Sequence, residues 1–149
     1  MRQRSELRTE PTQLGSDTSV NEMQFVVAYA NPELTRALLL QAVVLTAGLH
    51  ARITLLAVHT VPDPTRFRGP CSAHAFLVEQ LLELAAECPV PVAPQVVLAR
   101  SREQGFRAAL PPEATILVGS RRLFRPTEEE ILAGLLASDG HNVSLLYLD

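Results

Sequence analysis

Ala114-Thr115-Ile116-Leu117-Val118-Gly119-Ser120-Arg121-Arg122 is the stretch that decides how this chain folds. Apolar and β-branched residues run without a charge into Gly-Ser and a pair of arginines. A short uncharged run bounded by turn residues has the pattern of a strand covered on both faces. Pro126-Thr127-Glu128-Glu129-Glu130 follows, with Thr127 three residues before Glu130. That spacing predicts a capping box, each side chain bonding the backbone N–H at the other's position. A strand, a loop and a helix therefore succeed one another. Gly119-Ser120 and the arginines are a candidate anion cradle, because N–H groups at a helix start attract phosphate. The three carboxylates in the first helical turn oppose that use: they already complement the helix dipole and repel a polyphosphate.

The same alternation extends upstream. Residues 24–30 (QFVVAYA) and 53–61 (ITLLAVHTV) read as apolar strands. Between them Asn31-Pro32-Glu33 opens a helix running to about Gly48: Asn31 caps it, Pro32 suits the first helical position and Glu33 faces the dipole. Leu34, Ala37, Leu38, Leu45 and Leu49, with few charges between them, predict a broad face laid on the sheet. Residues 72–87 have Ala73, Phe76, Leu77, Leu81, Leu84 and Ala85 at helical spacing, with Glu79, Glu83 and Glu87 opposite. Pro89, Pro91 and Pro94 end that helix, and residues 95–99 read as a third strand. A short helix at 102–110 stops at Pro111-Pro112, and the helix opened by Thr127 ends at Gly140. The last strand runs from Asn142 to Leu148. This β-α-β-α-β-α-β-α-β order predicts one α/β domain with a parallel five-stranded sheet between two helix layers.

The chain has 149 residues, a net charge of −3, and arginine as its sole basic residue apart from histidine. There is no basic footprint for nucleic acid. The longest apolar stretch, residues 37–49, is too short for a membrane span. Cys71 and Cys88 fit no metal spacing and read as free thiols, which places the protein in the cytoplasm by expectation. Residues 1–22 form a polar tail with little to bury, so residues 23–149 are expected to be the folded domain, with Met23 as its boundary or true start.

Ile116-Leu117-Val118-Gly119-Ser120-Arg121, with the element order and length from Met23, resembles the universal stress protein family. The resemblance covers residues 23–149. It implies the strand order 3-2-1-4-5 with the last strand at the edge, and homodimers that pair through that strand. Nucleotide-binding members carry a second glycine three residues after the first, a later glycine followed by Ser or Thr, and an aspartate ending the first strand. Here those places hold Arg122, Leu132, Ala133 and Ala30. The resemblance therefore implies a degenerate nucleotide site, with ATP and AMP disfavoured and no cofactor expected.

In that strand order the carboxyl ends of strands one and four form the crevice where such sheets bind ligands. Asn31, Gly119, Ser120, Arg121 and Arg122 are the candidate lining. The two arginines are expected to brace the 128–130 carboxylates, with an anion grip as the alternative. His59 is expected to be a hydrogen-bonded scaffold residue near the crevice. His50, His74 and His141 look scattered and suggest no metal site. Cys71 reads as inert, and Arg66 and Arg68 as a solvated loop. No nucleophile with an acid–histidine pair is evident around Ser120, so no enzymatic activity is expected. The last strand alternates Val143, Leu145 and Tyr147 with Ser144, Leu146 and Leu148, so both its faces are largely apolar. An open edge of that kind is a template for pairing with a second copy. The expected function is a stress-related homodimeric regulatory or interaction module. A small-anion or nucleotide binder using the crevice, and a regulatory domain acting with a transporter, are the alternatives.

Overall fold

A computed structural model describes residues 22–66 and 72–148. The expectations for residues 1–21, Arg68 and Cys71 lie outside that range. The elements are β1 (Met23–Ala28), α1 (Pro32–Thr46), β2 (Ala51–Thr60), α2 (Ser72–Glu87), β3 (Val92–Ala99), α3 (Arg102–Ala109), β4 (Thr115–Ser120), α4 (Glu128–Ser138) and β5 (Asn142–Tyr147). A single 3-10 turn, Pro64–Arg66, follows β2. The strands form one sheet in the order β3-β2-β1-β4-β5. Every pairing is parallel. The α/β architecture and strand order match those expected. No helix among the described residues is long and apolar enough to cross a membrane.

Period-two alternation splits the strands between two cores. Phe25, Val27, Leu55 and Leu117 face α1 and α2, meeting Leu38, Leu39, Leu81 and Leu84. Val26, Leu56, Ile116 and Val118 face α3 and α4, meeting Phe106, Leu110, Leu132 and Leu136. Phe106 is fully buried at the centre of the second core. Beside it Gly105 lets α3 approach the sheet closely: a Cβ there would stand 2.5 Å from Val58 Cγ2. The end of α4 is a Schellman turn. His141 N–H donates to Leu136 O and Gly140 N–H to Ala137 O. Gly140 takes φ +94°, which a side chain would strain.

Two expected boundaries and one expected buried face differ. β3 begins at Val92 rather than residue 95, and Pro94 lies inside it, paired with Leu55. Proline is tolerated there because β3 is an edge strand. β4 runs on through Gly119 and Ser120, which pair with Leu146 and Tyr147. The expected loop therefore starts two residues later, at Arg121. In α1 the buried stripe is Thr35, Leu38, Leu39, Ala42 and Thr46, narrower than the broad face expected. Leu40, Val44, Leu45 and Leu49 are exposed.

Candidate functional site

β1 and β4 are neighbours whose chains leave in opposite directions, into α1 and into α4. Their carboxyl ends make the sheet's switch-point crevice. An anion held there would need unoccupied N–H groups at the two helix starts. At each start a side-chain cap already takes one of those donors. Asn31 Oδ1 accepts from Leu34 N–H at 2.9 Å. Thr127 Oγ1 accepts from Glu130 N–H at 3.1 Å, and Glu130 Oε1 from Thr127 N–H at 2.7 Å. The predicted capping box is complete. The Glu130 carboxyl is held below its ordinary pKa, first by the Tyr147 hydroxyl and then by the Thr127 N–H, so it stays ionised at neutral pH.

Gly119 and Ser120 serve the sheet. A Cβ at Gly119 would lie 2.7 Å from Leu148 Cδ1 and 3.5 Å from Leu38 Cδ2, so glycine there answers to packing. Ser120 is buried, with its hydroxyl 2.6 Å from Thr127 Oγ1 and 3.0 Å from Arg121 O. A hydroxyl has one proton. Ser120 spends it on Arg121 O, so Thr127 donates to Ser120 and accepts from Glu130. This chain of bonds closes the base of the β4–α4 loop.

Arg102 completes the crevice from a third element. From the first turn of α3, its Nη2 donates to Tyr29 O, just past β1, at 2.7 Å. Its Nη1 is 2.8 Å from Glu129 Oε1 in the first turn of α4, and both side chains are mostly buried. The Glu129 oxygen has no aligned hydrogen bond, so the contact is an ion pair. The guanidinium also lies 5.3 Å above the Phe106 ring. The chain's own cation thus bridges the ends of β1 and α4, its charge matched by Glu129. Arg102 is absent from the residues proposed on sequence grounds. One local signal marks it: a cation in a helix's first turn opposes the macrodipole and so needs a partner elsewhere.

The expected brace from Arg121 to the 128–130 carboxylates is replaced by another. Arg121 pairs with Glu33 in the first turn of α1. Arg122 lies 4.1 Å over the Tyr147 ring, and its charge helps lower the Glu130 carboxyl. Tyr147 in turn donates to Glu130 Oε2 at 2.7 Å. At the apex of the loop Leu123 and Phe124 are exposed, Phe124 completely. With Arg122 and Arg125 they line an open cavity of about 590 Å³. The five proposed residues therefore lie at one end of the sheet, each bonded or packed within the chain.

The histidines are not all scattered. His59, near the end of β2, and His74, in the first turn of α2, meet with Nδ1 atoms 3.0 Å apart. Among the described residues no group of three or more His, Cys, Asp or Glu is placed to hold a metal ion. Cys88 is half-buried, and burial raises its thiol pKa, which disfavours the reactive thiolate. No protein-family model and no curated protein matches this chain.

Proposed function

We propose that this domain is a homodimeric regulatory or interaction module resembling the universal stress proteins, with a nucleotide crevice closed by its own side chains and no catalytic role. The observation that carries this reading is the Arg102 bridge from Tyr29 O to Glu129. A nucleotide phosphate entering there meets a cation already neutralised by a carboxylate, and must displace Glu129 to use it. It also meets helix starts that are side-chain capped, one of them carrying three first-turn carboxylates. An ion pair removed from water is strengthened by its surroundings, and stranding either charge is costly. Binding energy of that size is not returned by a crevice whose glycine and serine are occupied by packing and by the loop base.

The pairing surface is the β5 edge. Among the described residues β5 bonds to β4 on one side alone, and Leu148 N–H donates to Ser120 O. By the period of two, the N–H groups of Val143, Leu145 and Tyr147 point to the open edge. The half-buried Leu146 and Leu148 pack on the core beneath α1, which leaves Leu40, Val44 and Leu45 exposed. A second copy added along β5 pairs the open backbone groups and brings the two α1 helices to the same side. Light scattering of the full chain is expected to give a dimer at micromolar concentration. Val143→Pro removes an outward N–H while keeping side-chain volume, and is expected to weaken the dimer at least tenfold without unfolding the monomer. A strict monomer in the wild type, or an unchanged dimer in the variant, contradicts the pairing.

A further inference from the structure

We propose that His59 and His74 form a two-histidine site for a borderline divalent transition metal such as Cu²⁺, Ni²⁺ or Zn²⁺. The nitrogens meet head to head: the Nδ1 atoms are 3.0 Å apart, while the ring centroids are 5.1 Å apart and the planes tilted by 36°. Two imidazole nitrogens on one such ion, each about 2.0–2.1 Å from it, are roughly 2.8–3.4 Å apart at tetrahedral to square-planar angles. The observed separation falls inside that bite. Both ligands stand on regular elements, one on a strand and one in a helix of sixteen residues, so the spacing is preorganised. Imidazole donors select these ions over Mg²⁺ and Ca²⁺, which require oxygen.

Two terms oppose the ion. His74 lies in the first turn of α2, whose dipole disfavours a cation by less than a factor of ten in affinity. Coordination also ends the Nδ1–H···Nδ1 bond: the donor ring moves its proton to Nε2, and both Nδ1 lone pairs then face the metal.

The site is tested by titrating the untagged full chain with Cu²⁺ and recording electron paramagnetic resonance. The expected result is one ion per chain, coupled to two imidazole nitrogens and displaced by competing Ni²⁺ or Zn²⁺. His59→Gln and His74→Gln are each expected to lower affinity at least tenfold and leave coupling to one nitrogen. A His50→Gln/His141→Gln double variant is expected to bind as wild type does. Coupling to one nitrogen or none in the wild type overturns the proposal whatever the stability of the variants. Binding unchanged in both His59→Gln and His74→Gln overturns it as well.

Discussion

Phe106→Ala is expected to cost about 3–5 kcal/mol of stability, at the upper end for a buried aromatic truncation. On a domain of this size that lowers Tm by on the order of 15 °C. The range reflects how far neighbours can collapse into the cavity, and here they cannot move far. Gly105 already brings α3 against Val58, with space for a Cβ denied at 2.5 Å. Leu110, Ile116, Val118, Leu132 and Leu136 surround the ring from α3, β4 and α4 and are themselves buried. The ring is also the floor beneath the Arg102 guanidinium. Urea unfolding of the full chain measures the loss. A cost below about 1.5 kcal/mol would mean that α3 does not pack as described.

The second large effect concerns Arg102. Arg102→Leu removes the bond to Tyr29 O and leaves the Glu129 carboxylate, 16% exposed, without its cation. An unpaired, mostly buried acceptor costs about 1–3 kcal/mol, and the lost cation–π contact adds about 0.5–1 kcal/mol. Water reaching the exposed quarter of the pair moderates the sum, so about 2 kcal/mol is expected. A nonspecific loss of packing would give a similar number. A double-mutant cycle with Glu129→Ala separates the two. Removing both partners is expected to cost about 1–2 kcal/mol less than the sum of the single variants. Additivity within about 0.5 kcal/mol would show that the two groups do not close the crevice together.

Local rules carried much of the fold. Asn31 and the Thr127–Glu130 box are read directly from residue type and spacing, and the Ser72–Glu87 helix has the expected ends. Boundaries moved where a neighbour decided them. β4 extends through Ser120 because β5 offers Leu146 and Tyr147 as partners, and β3 admits Pro94 because one of its sides is open. The crevice was harder to read. The groups facing each other there are far apart in sequence: Arg102 reaches the Tyr29 carbonyl across 73 positions and Arg121 reaches Glu33 across 88. No helical or strand period links such pairs. His59 and His74 are joined only by the packing of α2 on β2. Periodicity also overestimated the buried face of α1, since apolar side chains at helical spacing look alike whether they meet the sheet or remain exposed.

The most direct test is calorimetric titration of the full-length chain with ATP and with AMP at physiological salt. The account predicts no binding tighter than millimolar for either nucleotide, because the Arg102–Glu129 pair, the capped helix starts and the Ser120–Thr127 loop base occupy the crevice. Micromolar affinity that is lost on Arg122→Glu would contradict it, and would establish instead an anion-binding protein that uses the β4–α4 loop.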